Sequence, residues 1–137
     1  MLRLFPVLAL LAFTIVGCSS TATTALVAPS VDAITADELK QLVDSGEEFV
    51  FVDVRQAGEI ERDGTLPNYI HIPIRDLEKR LSEIPQNKKI VVACSHGARS
   101  GHGAALLKAR GFQDVSAVGM LDYQRKGYPL IHPKLSD

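Results

Sequence analysis

The residue best placed to do chemistry is a cysteine that ends a hydrophobic run. Residues 90–93 are apolar and mostly β-branched, which predicts a short buried strand ending at Cys94. A polar loop follows, and residues 104–109 with Gly111 behind them predict a helix. Free amide N–H groups at a helix N-terminus favour an anion such as a thiolate, and Arg99 adds a positive charge. We therefore expect Cys94 to have a lowered pKa and to be nucleophilic at neutral pH.

Strands and helices alternate along the rest of the chain. Thr35 and Glu38 have the spacing of a capping box, at the start of a helix that Gly46 ends. Residues 56–62 predict a single helical turn, and residues 74–84 form an amphipathic segment that ends at Pro85. A further short helix is expected over 120–126, and strands are expected over 31–34, 49–52, 69–72, 90–94 and 115–118.

This alternation, with its short connections, predicts an α/β fold with a mostly parallel central sheet and helices on both faces. Residues 49–52 are apolar throughout, as expected for a strand that is buried on both sides. Ligands bind outside the carboxyl ends of the strands in such sheets. Asp53, Val54 and Arg55 follow one predicted strand and Cys94 ends another, so we expect the two strand ends to meet in one site.

Composition excludes several other classes of protein. The chain has 137 residues, 46% of them hydrophobic and 23% charged, which suits one folded domain and argues against global disorder. The formal net charge is −1, and no long block of lysine and arginine provides a surface for nucleic acid. The sequence does not indicate an oligomeric state.

The N-terminal segment has the organisation of an export signal. Arg3 provides a positive charge, and residues 4–16 form an almost unbroken apolar run that is short for a membrane span. The run leads into Gly17 and Cys18, and this junction resembles the lipobox of bacterial lipoproteins. The resemblance implies cleavage before Cys18 and lipidation of that residue, and Ser19 is compatible with sorting to the outer membrane. An ordinary cleaved signal or a short anchor helix, with Cys18 incidental, is the alternative.

The lipoprotein interpretation divides the chain into three parts. Residues 1–17 are the signal peptide, residues 18–30 are a lipidated tether rich in Ser, Thr and Ala, and residues 31–137 are the folded domain. The expected location is the bacterial cell envelope, where the lipid would hold the domain at a membrane, facing the periplasm.

Lipidation of Cys18 would leave Cys94 as the remaining thiol of an exported protein. A buried and inert thiol is the alternative, and the polar run from Ser95 to Ser100 argues against burial in apolar surroundings. A zinc site with His96 and His102 would need three or four convergent ligands, so we expect no metal. A thiol oxidoreductase would need a resolving thiol from another molecule.

A set of short motifs in one order extends this interpretation. The motifs are Asp53-Val54-Arg55, Glu59, Leu66-Pro67, Ile72-Pro73, Cys94 to Ser100, Ala104 to Leu107, Gly111-Phe112 and Val115. Together they closely resemble the rhodanese homology domain over residues 32–131. The resemblance implies a three-layer, single-domain sulfurtransferase without a cofactor. In that family the cysteine attacks a donor such as thiosulfate, becomes a persulfide and passes the sulfur to a thiol or cyanide.

The resemblance also implies roles for individual residues. Arg99 would stabilise the loop or meet an anionic donor, and Ser100 would contact the cysteine through its hydroxyl. Arg55 would lie at the rim of the site, while Asp53 would hold the loops together by hydrogen bonds. The amides that would surround the Cys94 sulfur and its outer sulfur belong to Ser95, His96, Gly97, Ala98, Arg99 and Ser100.

Two alternatives to sulfur transfer differ in what the loop must do. Related Cys-dependent phosphatases and arsenate reductases have one more residue between cysteine and arginine, which makes room for a tetrahedral oxyanion. The shorter spacing from Cys94 to Arg99 suits a single sulfur atom. A membrane-tethered, non-catalytic module for partner binding or redox sensing is the second alternative, although such a module has no need of the thiol. Departures from the family pattern around Tyr69 and Tyr123 leave the substrate preference open.

Overall fold

A five-stranded parallel sheet organises the chain in the computed structural model, which describes residues 30–135. The strands are β1 (Asp32–Ala33), β2 (Phe49–Asp53), β3 (Ile70–His71), β4 (Lys89–Cys94) and β5 (Val115–Gly119). Their order in the sheet is β1-β5-β4-β2-β3, and all of these neighbours pair in parallel. Strand β4 is therefore central, which places the end of the predicted cysteine strand in the middle of the sheet.

Helices cover both faces of the sheet. They are α1 (Ala36–Ser45), α2 (Ala57–Asp63), α3 (Ala98–Ala109) and α4 (Met120–Arg125). One face of the sheet buries Val52 and Val92 together with Leu107 of α3, and the other buries Phe51 and Val91 with residues of α1 and α4. Side chains alternate between the faces along each strand, so a strand covered on both sides needs a continuous apolar run. The predicted three-layer α/β fold is confirmed.

Two local predictions change in detail. The amphipathic segment over 74–84 forms two short 3-10 helices, Leu77–Lys79 and Leu81–Glu83, instead of a continuous helix. Ile74 N bonds to Val54 O (3.0 Å) outside any helix, and the hydrogen bonds that follow mostly join residues three apart, as from Lys79 N to Asp76 O (3.0 Å). The turn expected over 56–62 is longer, since α2 covers two turns. The capping box of α1 is confirmed, with Glu38 N donating to Thr35 Oγ1 at 3.2 Å.

The strand register aligns the groups that matter for function. Asp53 of β2 lies beside Ala93 of β4, and Cys94 lies beside Gly119 of β5. These residues stand at the carboxyl ends of their strands, where parallel sheets place their ligand sites. The expected meeting of the two strand ends is therefore present.

Candidate active site

A tight loop carries the chain from Cys94 into helix α3. Gly97 is the residue before the helix and has φ of 101°, a conformation that a side chain disfavours. This backbone turn directs the Gly97 N–H at the cysteine, and the amide donates a hydrogen bond to Sγ at 3.0 Å. Such inward-pointing amides form a concavity that favours an anion.

Ser100, in the first turn of α3, brings a hydroxyl to the same sulfur. Its Oγ lies 3.4 Å from Cys94 Sγ, 2.9 Å from Gly97 O and 3.0 Å from Val118 O. A hydroxyl has one proton. In the neutral thiol form, S–H donates to Oγ and the hydroxyl donates to a carbonyl, whereas in the thiolate form the hydroxyl proton is free to turn to sulfur. The predicted contact between Ser100 and the cysteine is present, and it is suited to both protonation states.

Cys94 is buried, with 1% of its surface exposed, and belongs to the hydrophobic core cluster that includes Val92 and Ala117, so the expectation that the polar run keeps it from burial in apolar surroundings is wrong. The cysteine ends the central strand, and the loop folds over it with its amides facing inward. Burial raises the pKa of the Cys94 thiol. Hydrogen bonds from the Ser100 hydroxyl and from the amides of Ser100, Gly97 and His96 outweigh burial, so the pKa lies below its usual value. The side chain of Cys94 thus packs in the apolar core, while hydrogen bonds from the loop to its sulfur favour the thiolate.

Arg99 contributes less to this low pKa than the sequence suggests, because its charge is paired. Its Nη1 and Nη2 atoms each lie 2.7 Å from a carboxylate oxygen of Glu59, which forms a bidentate ion pair. The same carboxylate accepts hydrogen bonds from Ser95 Oγ (3.0 Å) and Gln56 N (3.0 Å). The expectation that Arg99 is a main cause of the thiol pKa is corrected: hydrogen bonds are the main cause, and Arg99 and Glu59 brace the loop.

Asp53 and Arg55 form a second ion pair that lies inside the protein. Arg55 Nη2 lies 2.6 Å from Asp53 Oδ2 and donates to Gly64 O at 2.8 Å, and Thr65 Oγ1 donates to Asp53 Oδ2 at 2.9 Å. The two side chains are 2% and 0% exposed, so the prediction that Arg55 lies at the rim is wrong. The guanidinium folds back onto Asp53 because that carboxylate lies two residues away. Asp53 makes the loop-holding hydrogen bonds that were expected of it.

Sequence reasoning did not identify Gly119 as part of the site. A side chain there would place its Cβ 3.1 Å from His96 C and 3.2 Å from Gly97 N. Leu121 N, two residues on, donates to Ser95 O at 3.0 Å. The end of β5 therefore touches the back of the cysteine loop, and a glycine permits this approach without displacing the loop backbone. The signal available in the sequence was the position of Gly119, a glycine at the end of the strand that pairs with the Cys94 strand.

The remaining residues singled out in the sequence are exposed to solvent. The His96 and Ala98 side chains are exposed on the loop, and His102 is exposed on α3. Among residues 30–135 the structure shows no group of three or more His, Cys, Asp or Glu side chains suited to hold a metal ion. A groove of about 390 Å³ is lined by residues of α1 and β2 and by the 66–68 turn, and none of its lining residues belongs to the Cys94 loop. The chemistry is thus concentrated around one sulfur.

Ser100→Ala is expected to raise the pKa of the Cys94 thiol, because it removes the hydroxyl proton that can stabilise the thiolate. A raised pKa lowers the thiolate fraction at any pH below it, so the rate profile for alkylation by iodoacetamide moves to higher pH. Ser95→Ala is the matched control, since the Ser95 hydroxyl bonds to Glu59 instead. Equal profiles for the Ser100 and Ser95 variants would contradict this assignment.

Comparison with known proteins agrees with this geometry. The model of the rhodanese-like domain family matches residues 35–125. The chain belongs to that family. The resemblance noted in the motifs is thereby confirmed, and the α/β fold with its five-stranded parallel sheet is the rhodanese-like fold.

Individual relatives point in the same direction. A sulfurtransferase of Allochromatium vinosum is 31% identical over 106 residues, which cover 76% of this chain and 98% of that protein. A Bacillus subtilis protein named "Putative sulfur carrier protein YrkF" is 38% identical over 101 residues, or 72% of this chain, and the chain spans about half (54%) of its length. A crystal structure of a rhodanese-related protein from Thermoplasma volcanium superposes with a TM-score of 0.67 at 28% identity, covering 74% of this chain and 99% of that one.

Proposed function

We propose that this protein is a sulfurtransferase that carries sulfane sulfur on Cys94. The observation that carries the proposal is the arrangement at Sγ: a thiol of lowered pKa at the end of the central strand, with the Gly97 amide at 3.0 Å and the Ser100 hydroxyl at 3.4 Å. Four residues separate Cys94 from Arg99, the short spacing that suits a single sulfur atom. The sulfurtransferase named among the relatives supports the same reaction class.

The reaction proceeds in two displacements at sulfur. The Cys94 thiolate attacks the outer sulfur of a donor such as thiosulfate, the S–S bond of the donor breaks, and its electron pair leaves on sulfite. The new Cys94 persulfide is an anion, and the loop amides and the Ser100 hydroxyl stabilise it as they stabilise the thiolate. An acceptor thiol or cyanide then attacks the outer sulfur, which for cyanide forms thiocyanate and regenerates the thiolate. These steps require no metal and no organic cofactor.

Steady-state turnover distinguishes this function from its alternatives. The purified protein is expected to form thiocyanate from a sulfane-sulfur donor and cyanide, and to leave p-nitrophenyl phosphate unhydrolysed, since the loop is short for a tetrahedral oxyanion. Hydrolysis of the phosphate ester without sulfur transfer would favour the phosphatase alternative. Absence of both activities, with a thiol that iodoacetamide still alkylates, would favour the non-catalytic module.

We further propose that the domain is held at the bacterial cell envelope by lipid on Cys18, facing the periplasm. The signal peptide over residues 1–17, Cys18 and most of the tether lie outside the described residues, so this proposal rests on the sequence pattern. Within residues 30–135 no helix is long and apolar enough to cross a bilayer. The chain enters the sheet at the amino end of β1, whereas Cys94 lies at the carboxyl end of β4. The described chain therefore begins at the end of the sheet opposite to the reactive loop.

Cys18→Ala is expected to move the protein from the membrane fraction to the soluble fraction of the envelope, because it removes the lipid attachment site. Fractionation followed by immunoblotting measures this, and metabolic labelling with a palmitate analogue tests lipidation directly. Ser19→Ala is the matched control and should stay at the membrane. Unchanged membrane association of the Cys18 variant would contradict the lipoprotein assignment.

A further inference from the structure

We infer that Glu59 determines which sulfur donor the protein prefers. By pairing with Arg99, Glu59 cancels the positive charge at the mouth of the Cys94 loop, by which we mean Ser95, Arg99 and Glu59. The preferred donors are therefore those of low charge. The favoured class is the organic persulfide, R–S–SH, over the dianion thiosulfate. This inference rests on the proposed sulfur transfer and adds to it the chemical class of the donor.

The first step is the geometry of the Glu59 carboxylate. Both of its oxygens are engaged: Oε1 by Arg99 Nη2 (2.7 Å) and Ser95 Oγ (3.0 Å), and Oε2 by Arg99 Nη1 (2.7 Å) and Gln56 N (3.0 Å). Arg99 also donates to Ser95 Oγ at 3.3 Å. The two Arg99 nitrogens that could bind the sulfonate group of thiosulfate in bidentate fashion are thus already bound to the Glu59 carboxylate.

The second step is that this pair stays ionised. The Arg99 guanidinium, opposed by partial burial, lowers the pKa of Glu59 to about 2, and Glu59 raises the pKa of Arg99. Both groups are therefore charged across the physiological range, and their charges cancel. Their side chains are 36% and 23% exposed, so the pair lies at the surface beside the Cys94 loop.

The third step concerns the two arginines that flank Glu59 in the sequence. Arg55 is 2% exposed and bound to Asp53, so it offers no charge to a ligand. Arg62, close enough to Glu59 for their charges to interact, is bound to Asp63 at 2.6 and 2.7 Å. Both of these arginines have an acidic partner, and His96 is the remaining basic side chain of the loop itself. Arg75, which follows β3, is exposed and makes no ion pair among the described residues, so the neutrality argued here is that of the Glu59–Arg99 pair.

The absence of net charge at the mouth of the loop affects the binding of thiosulfate more than the binding of an organic persulfide. Thiosulfate carries two negative charges and would have to compete with Glu59 for Arg99, without a net positive field to attract it. An organic persulfide needs only its sulfur–sulfur bond. The Cys94 thiolate attacks the terminal sulfur of R–S–SH, and the donor S–S bond breaks with its electron pair leaving on R–S⁻. The terminal sulfur stays on Cys94, and its proton passes to the leaving R–S⁻, which leaves the Cys94 persulfide as an anion and R–SH as the by-product.

The test compares kcat/KM for thiosulfate and for the persulfide of 2-mercaptoethanol, with cyanide as acceptor and the purified full chain. The wild type is expected to favour the persulfide by about tenfold or more. Glu59→Gln frees Arg99 and is expected to raise the thiosulfate-to-persulfide ratio of kcat/KM by about tenfold, a gain of the size that electrostatic attraction produces. Glu61→Gln, which removes the same charge from the same helix, should leave the ratio unchanged.

Two further readouts separate specificity from damage to the loop. A loop that is merely disordered by Glu59→Gln would lower kcat/KM for both donors and leave their ratio unchanged. The gain with thiosulfate should also weaken between low salt and 0.15 M salt, because screening acts on exposed charge. The double variant Glu59→Gln with Arg99→Gln should lose the gain.

Several results would overturn the inference. A wild type that uses thiosulfate as efficiently as the persulfide, or an unchanged ratio in Glu59→Gln, removes the specificity role of Glu59 while sulfur transfer stands. A wild type that turns over neither donor contradicts the proposed function itself, and this inference with it.

Discussion

Cys94→Ser is expected to abolish sulfur transfer, with a loss of kcat/KM of at least about 10³-fold, since removing a covalent nucleophile typically costs more than that. Serine keeps the size and polarity of the side chain, but its hydroxyl does not ionise at neutral pH under these amides and forms no persulfide. The measurement is thiocyanate formation from either donor with cyanide.

The control for this variant is the other cysteine of the chain. Cys18→Ser should keep full activity in the purified protein, because the thiol of residue 18 has no part in the proposed chemistry. Circular dichroism and thermal unfolding should show that the Cys94 variant folds like the wild type. Retention of more than a few per cent of activity by a folded Cys94→Ser protein would mean that another group carries the sulfur.

Asp53→Ala is expected to lower the free energy of unfolding by about 3–5 kcal/mol, the cost of leaving a buried charge without its partner. The Arg55 guanidinium is 2% exposed, and it would keep only Gly64 O as a hydrogen-bond acceptor, with Thr65 also losing its partner. Urea denaturation followed by circular dichroism measures this loss.

Glu83→Ala is the contrasting control for Asp53. Glu83 also pairs with an arginine, Arg80 at 2.7 Å, but both side chains are exposed and water screens the pair. This variant should unfold at nearly the same urea concentration as the wild type. Equal effects of the two substitutions would show that the Asp53 pair does not behave as a buried one.

Local signals in the sequence were sufficient for most of the fold. The apolar runs 49–52 and 90–93 predict buried parallel strands because strands covered on both faces have no polar side, and the structure places them side by side. The capping box at Thr35 and the glycine at 46 bound α1 as expected, since these patterns act within a few residues. The 3-10 geometry of 74–84 was not predictable, because residues three apart share a face in either kind of helix.

The cysteine loop was also predictable, because all of its groups lie within seven consecutive residues. The pairing of its charges was not. Glu59 and Arg99 are forty residues apart, and only the packing of α2 against the loop brings them to 2.7 Å. Sequence alone places Arg99 beside Cys94 and suggests that its charge acts on the thiol. For the same reason the burial of Arg55 against Asp53 and Thr65 became visible only in three dimensions.

The measurement that tests the central claim most directly is the intact mass of the protein before and after incubation with thiosulfate or the persulfide of 2-mercaptoethanol. We expect a gain of one sulfur atom, located by peptide mapping to Cys94, absent in Cys94→Ser and removed by cyanide. An unchanged mass with both donors, in a protein whose Cys94 is free and alkylated by iodoacetamide, would contradict the assignment of Cys94 as a sulfur carrier.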